Sequence, residues 1–195
     1  GHWMYDEWVV AKGSGRVTEA NLTSREKNIV RGQPGEPSEH CKPGGSPFQF
    51  GIIDSPIEKT KDYRTAVWGA EQLGREHGSP FFMALGFSKP HLPFFSPQEF
   101  WDMFPEDGNY APQIKEDDFE DIRTASGGVF RTRASDDYLW LEQQGLINEA
   151  ARAYLACCAY ADHCVGVVLD ALRESAYADN TIVVIWGDHG WHLGE

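Results

Sequence analysis

Apolar residues recur at helical spacing in two stretches of the chain. In the first, which begins near Asp62, they form one stripe made of Tyr63, Ala66, Val67, Ala70 and Leu73. The second starts at Ile147 and keeps the i, i+3, i+4 spacing for about seven turns, as far as Leu172. The pattern predicts one helix of ordinary length and one long helix, each with a single apolar face.

Two other stretches are short, apolar and continuous. Phe81–Phe87 and the β-branched run Thr181–Trp186 are each typical of a strand that is covered on both faces. Helix, strand, long helix and strand therefore alternate, which favours an α/β sheet with covering helices. Residues 1–57 are expected to be loop-rich, because Gly32–Pro47 alone contains four Gly and four Pro. A short helix is expected within Pro97–Phe104.

Polar residues follow both predicted strands, where α/β proteins collect their functional groups. After the second strand, Asp188 and His189 lie between two glycines and offer one oxygen and one nitrogen ligand for a metal ion. The alternative is a turn in which Asp188 accepts hydrogen bonds from backbone amides. Two ligands are also too few for calcium, which takes six or more oxygens.

Lys89 and His91 follow the first predicted strand. Lys89 supplies a positive charge suited to an anionic substrate group, and His91 can exchange a proton near neutral pH. The alternative is that Lys89 is merely solvated and that His91 bonds a loop carbonyl.

The remaining candidate groups have structural interpretations. His192 is expected at a pocket rim, and Asp162 and His163 on the surface of the long helix. The thiols of that helix (Cys157, Cys158 and Cys164) are expected to behave as small apolar residues. The sequence contains no P-loop, G-x-S-x-G, H-E-x-x-H or G-x-G-x-x-G motif.

Composition narrows the function classes. The chain has 195 residues and a formal net charge of −13. This negative charge argues against sequence-independent binding to nucleic acid. Four cysteines cannot form a disulfide framework. No uninterrupted apolar run approaches the roughly 18 residues that predict a membrane span, and we expect none.

Two blocks of sequence resemble the sulfatase family, and in particular enzymes of the iduronate-2-sulfatase type. The first block runs from Pro80 to Phe94 and contains Lys89-Pro90-His91. The second comprises the helix Tyr154–Leu172 and the segment Asp179–Glu195, with Asp188-His189-Gly190 followed by Leu193-Gly194-Glu195. The blocks occur in the family's order, and the resemblance covers roughly residues 54–195.

The resemblance implies an alkaline-phosphatase-like fold, with a mixed sheet between helices, and calcium-dependent hydrolysis of a sulfate ester. It assigns Asp188 and His189 as metal ligands, and Lys89 and His91 as the sulfate-binding and proton-transfer residues. The implied substrate is a sulfated small molecule or glycan. Relatives of this kind are periplasmic, secreted or lysosomal.

The sequence departs from the family at the nucleophile, a formylglycine made from Cys or Ser in a Cys/Ser-x-Pro-x-Arg motif. Cys41-Lys42-Pro43-Gly44-Gly45 has Gly45 in place of the arginine, so we interpret Cys41 as a chance match. Residues 1–195 are accordingly expected to be an internal segment of one sulfatase catalytic domain, with an α/β portion from residue 58 to 195. We expect this segment by itself to be inactive. The alternatives are a phosphate or phosphonate ester hydrolase of the same superfamily and a non-catalytic sulfatase-like binding domain.

Overall fold

The computed structural model describes residues 29–30, 48–53, 55–113, 115, 123–128, 135–191 and 193. Within these residues one sheet is formed by β1 (Ile29–Val30), β2 (Gln49–Ile53) and β3 (Phe94–Pro97). The helices that accompany it are α1 (Lys61–Leu73), α2 (Gln98–Trp101), α3 (Asp136–Gln144) and α4 (Ile147–Glu174). A single 3-10 turn, Ile57–Lys59, precedes α1.

The sheet is centred on β2, which lies between β1 and β3. It runs antiparallel to β1 and parallel to β3, with Phe50 opposite Phe94 and Ile53 opposite Pro97. This strand lies within residues 1–57, the part of the chain expected to be loop-rich, and no strand was predicted there. The five residues of this strand are too few to show a period, and they pair with a strand that is distant in the sequence.

The two helices predicted from apolar spacing are both confirmed. The first is α1, and the second is α4, which extends slightly beyond the predicted stripe to Glu174. The short helix expected in Pro97–Phe104 forms as the single turn α2. The unpredicted helix α3 starts where the Ser135 side chain accepts a hydrogen bond from the Tyr138 amide, and it ends at Gly145, whose φ of 68° suits glycine.

The hydrophobic core lies between α4 and the sheet. The face of α4 that enters it is made of small residues with one large aromatic ring, and all are fully buried: Ala153, Ala156, Cys157, Tyr160 and Cys164. Opposite them, Phe50 and Phe94 from paired strands are each 1% exposed. Small side chains let elements pack closely, so α4 can contact α1, α2 and β3 together.

The Tyr160 hydroxyl ties α4 to the start of α1. It accepts a hydrogen bond from the Tyr63 amide at 3.1 Å and lies 2.5 Å from the Thr60 hydroxyl, which itself donates to the Ile57 carbonyl. Tyr160 must therefore be the donor to Thr60, and every group in this buried chain is satisfied. Burial raises the pKa of Tyr160 well above its ordinary value, which keeps the hydroxyl proton in place.

Neither strand predicted from a continuous apolar run is formed. Within Phe81–Phe87 the chain presents Phe82 to solvent at 78% exposure, while Leu85 contacts α1 so closely that a Cβ on Gly69 would lie 2.5 Å from its Cδ1. In Thr181–Trp186 every residue is exposed. A strand requires a hydrogen-bonding neighbour, and neither segment has one among the described residues.

One described helix, α4, is long and apolar enough to cross a membrane by length and composition. Core helices satisfy the same criterion, so it is weak support for a span. The helix also carries the buried Arg152, whose guanidinium lies 5.3 Å from the centre of the Trp101 ring and donates to the Phe104 carbonyl. These contacts join α4 to α2 and to the residues that follow it.

Replacing Tyr160 by Phe should destabilise the protein by about 1–3 kcal/mol, because the Tyr63 amide and the Thr60 hydroxyl lose their buried partner. The measurement is urea denaturation. The matched control is Tyr63→Phe, which removes a hydroxyl that makes no hydrogen bond within the described residues. Equal stabilities of the two variants would contradict this role for Tyr160.

Candidate active site

Residues 88–93 form the loop that carries Lys89 and His91, here called the Lys89 loop. Two prolines, Pro90 and Pro93, interrupt it, and both of their peptide bonds are cis. Its two ends are linked within the loop, because the Lys89 ammonium donates to the Pro93 carbonyl at 2.5 Å. The loop leads directly into β3, so the pairing of β3 in the sheet fixes the position of the loop's C-terminal end.

Lys89 is buried, with only 6% of its surface exposed. The alternative in which this side chain is merely solvated is therefore wrong. An ammonium group held away from water interacts more strongly with an anion than an exposed one does, because the surrounding dielectric is lower.

His91 is exposed, and its ring nitrogen Nδ1 lies 2.6 Å from the Leu92 carbonyl. A carbonyl can only accept, so Nδ1 must carry the proton of this bond. The loop carbonyl expected in the structural alternative is present, but it does not exclude chemistry at the ring. It fixes the tautomer and leaves Nε2 as the nitrogen that can gain or lose a proton.

Asp188 and His189 lie in an exposed segment after α4. The expectation that a strand delivers them is wrong, as described above for Thr181–Trp186. The backbone amides proposed as partners for Asp188 in a turn do not bond it within the described residues. His189 repeats the geometry of His91, since its Nδ1 lies 2.7 Å from the Gly190 carbonyl and Nε2 keeps its lone pair.

One aromatic contact links this segment to the Lys89 loop. The Trp191 ring packs edge-on against Phe94, with 5.6 Å between ring centres. Phe94 directly follows Pro93, whose carbonyl holds the Lys89 ammonium. This contact brings Trp191, which lies two residues after His189, to the start of β3.

The donor set fits part of a divalent-cation site. A carboxylate at Asp188 and an imidazole with a free Nε2 at His189 are groups that bind such ions, and the carbonyl bond to Nδ1 is the usual support of a metal-bound histidine. However, no group of three or more His, Cys, Asp or Glu side chains suited to a metal occurs among the described residues. These two residues could thus supply two ligands of a larger set.

The other candidate residues that the structure describes have the structural roles expected for them. Asp162 and His163 are exposed on α4, with the His163 ring stacked on Tyr63. Cys157 and Cys164 are fully buried, and Cys158 is half-buried. Burial raises the pKa of Cys164 to about 12 and that of Cys158 above its ordinary value, so neither is a thiolate at neutral pH. Cys41 and His192 lie outside the described residues.

An apolar cleft of about 200 Å³ lies between β3, α3 and the start of α4. Phe94, Leu141, Ile147 and Trp191 line it. It includes none of Lys89, His91, Asp188 and His189, so it lacks the charged groups that the proposed chemistry needs.

Sequence reasoning missed one residue that contacts the Lys89 loop, the fully buried Asp62 in the first turn of α1. Its carboxylate accepts hydrogen bonds from the amides of Ser88 and Lys89 and from the Ser88 hydroxyl. The sequence signal for this residue is a carboxylate in the first turn of an amphipathic helix. A carboxylate at that position is usually explained by its favourable interaction with the helix dipole, so it does not by itself indicate a contact with a distant loop.

Comparison with known proteins identifies the family. A sequence profile of the sulfatase family matches residues 18–195. The chain therefore belongs to the sulfatase family, and its helices and small, partly parallel sheet are part of the alkaline-phosphatase-like α/β fold of that family. The family and the fold class inferred from the sequence motifs are confirmed.

Three relatives illustrate the similarity. A sulfatase of Formosa agariphila is 32% identical over 192 residues, which are 98% of this chain and 37% of that protein. Human iduronate 2-sulfatase is 34% identical over 158 residues, or 74% of this chain and 28% of the enzyme. The multifunctional alkaline phosphatase superfamily protein PehA of Trinickia caryophylli is 27% identical over 172 residues, 80% of this chain and 32% of its own. The chain thus spans little more than a third of these relatives, or less.

The buried thiol of Cys164 should react at least 100-fold more slowly with iodoacetamide at pH 7.5 in the folded protein than in urea, because a raised pKa and burial both suppress the reactive thiolate. Mass spectrometry of timed samples measures the labelling at each cysteine. The half-buried Cys158 is the internal comparison and should be labelled faster than Cys164. Rapid labelling of Cys164 in the folded protein would contradict the packing of α4.

Proposed function

We propose that the full-length protein is a hydrolase that cleaves a sulfate ester, and that residues 1–195 are a segment of its one catalytic domain. The supporting observation is the Lys89 loop, which carries a buried ammonium and an exposed imidazole with a fixed tautomer in a chain of the sulfatase family. The alignment of 98% of this chain with 37% of one sulfatase supports the assignment to a single domain.

Lys89 binds the sulfate group in this proposal. The chain carries a net charge of −13, so an anionic substrate requires a local positive charge that outweighs the general repulsion. As the ester bond breaks, negative charge grows on the departing oxygen and on the sulfuryl oxygens. A cation held in place before the reaction stabilises that charge without reorganisation.

His91 transfers the proton. Its Nδ1–H is engaged by the Leu92 carbonyl, so Nε2 is the atom that takes up a proton from water to form the imidazolium and then passes that proton to the leaving alkoxide oxygen, which leaves the ring neutral. The side chain is exposed, which lets a substrate reach it from solvent.

Asp188 and His189 would be two of the ligands of a divalent cation, which we propose is calcium. When bound, that ion would polarise a sulfuryl oxygen. The chain's own part is to present a carboxylate and Nε2 of an imidazole whose other nitrogen is engaged by the Gly190 carbonyl. We propose formylglycine as the nucleophile, and Cys41 does not supply it, because Gly45 stands where the modification motif has arginine.

The proposed substrate is a sulfated small molecule or glycan. One relative is named iduronate 2-sulfatase, and the sugar acid in that name supports this class. A second candidate function is hydrolysis of a phosphate or phosphonate ester, and similarity to the alkaline phosphatase superfamily protein PehA favours it. The two substrates present the same tetrahedral anionic head to Lys89, so activity measurements must separate them.

Lys89→Ala in the full-length protein should lower kcat/KM for 4-nitrophenyl sulfate about 100- to 1,000-fold, as expected when a preorganised charge at the reacting group is lost. The matched control is Lys61→Ala, which removes an exposed lysine from the start of α1. Unchanged hydrolysis by Lys89→Ala would overturn the role of Lys89. Faster turnover of 4-nitrophenyl phosphate than of the sulfate by the unaltered protein would favour the second candidate.

Asp188→Asn should weaken calcium binding by the full-length protein about 10-fold or more, because a neutral amide replaces a charged ligand. Isothermal titration calorimetry measures the affinity, with Asp179→Asn as the control at an exposed site on the same segment. A full-length protein that binds no calcium would contradict the metal assignment and favour the non-catalytic binding domain.

A further inference from the structure

The Asp62 carboxylate is fully buried and makes no ion pair with the described residues. A buried charge of this kind is costly unless hydrogen bonds replace its hydration. Oδ2 accepts from the Ser88 and Lys89 amides, each at 2.9 Å, and Oδ1 accepts from the Ser88 hydroxyl at 2.8 Å. All three donors therefore belong to two consecutive residues of the Lys89 loop.

These bonds fix the loop relative to α1. They hold the Lys89 backbone amide at one end of the side chain, while the Pro93 carbonyl holds the ammonium at the other. The Ser88 carbonyl also accepts a hydrogen bond from the His91 amide at 3.0 Å. Asp62 thus sets the position of the backbone from which both Lys89 and His91 extend.

We propose that Asp62 is a positioning residue for hydrolysis of the sulfate ester, acting through the backbone of Ser88 and Lys89 and touching no reacting atom. The inference rests on the roles proposed for Lys89 and His91. Its physical basis is that catalytic groups must be held within a fraction of an ångström of the reactive geometry, and the three hydrogen bonds to Asp62 join the backbone that carries them to α1.

The hydrogen-bond chemistry distinguishes two substitutions of similar size. In Asp62→Asn the amide oxygen can accept from both backbone amides in place of Oδ2, and the amide nitrogen can donate to the Ser88 hydroxyl, which is able to accept. In Asp62→Leu all three donors lose their partner. The first variant keeps the loop in place without the charge, and the second releases it.

The experiment measures kcat and KM of the full-length variants with 4-nitrophenyl sulfate, at a temperature where circular dichroism shows each of them folded. Asp62→Leu should lose about 100-fold in kcat with a smaller change in KM, as expected for displaced catalytic groups. Asp62→Asn should restore kcat to within about 10-fold of the unaltered protein, since its hydrogen bonds keep the loop geometry.

Tyr160→Phe is the matched structural control. It removes buried hydrogen bonds from the same end of α1 but leaves those of Asp62 intact, so it should lower stability and leave kcat unchanged. Amide hydrogen exchange at Ser88 and Lys89 should accelerate in Asp62→Leu and not in Tyr160→Phe, which reports the loop directly.

Each result bears on a separate statement. An active unaltered protein together with a folded Asp62→Leu variant of equal kcat would overturn the positioning role alone. Equal losses of kcat in Asp62→Leu and Tyr160→Phe would also overturn it, because general destabilisation would then explain the effect. An unaltered full-length protein that does not hydrolyse the sulfate ester would overturn the proposed function and this role with it.

Discussion

The arrangement of the candidate site depends on one buried carboxylate. Asp62 accepts three hydrogen bonds from Ser88 and Lys89, and so holds the Lys89 loop against the first turn of α1. That turn is itself tied to α4 by the Tyr160 hydroxyl. Without the carboxylate, the loop would lose these three hydrogen bonds to α1. The core helix, the first helix and the proposed catalytic loop are thus joined through buried polar contacts.

The two proposed functional side chains of the Lys89 loop differ in their exposure to solvent. Lys89 is withdrawn from water, where its charge acts strongly on an anion, whereas His91 faces solvent and can exchange protons with it. This division matters in a chain whose net charge is −13, because a lysine exposed on such a surface would have its field screened and opposed by many carboxylates.

The helices were predictable because their signal is local. Apolar spacing located α1 and α4, since each buries one face along its length. The strands were not predictable in the same way. The apolar runs at Phe81–Phe87 and Thr181–Trp186 indicated strands that the structure does not form, whereas β2 and β3 pair without a clear pattern of their own. Sheet formation depends on partners elsewhere in the chain, which no local pattern specifies.

The sequence by itself determined the family, the two main helices and the residue types at the candidate site, because short motifs and helical periodicity are properties of neighbouring residues. Tertiary structure alone decided that Lys89 is buried and that the Phe94–Trp191 contact brings the Asp188 segment to the start of β3. It also revealed the partner of Asp62. These features depend on contacts between residues far apart in the chain, and burial and hydrogen bonding at such contacts are set only when the whole fold is assembled.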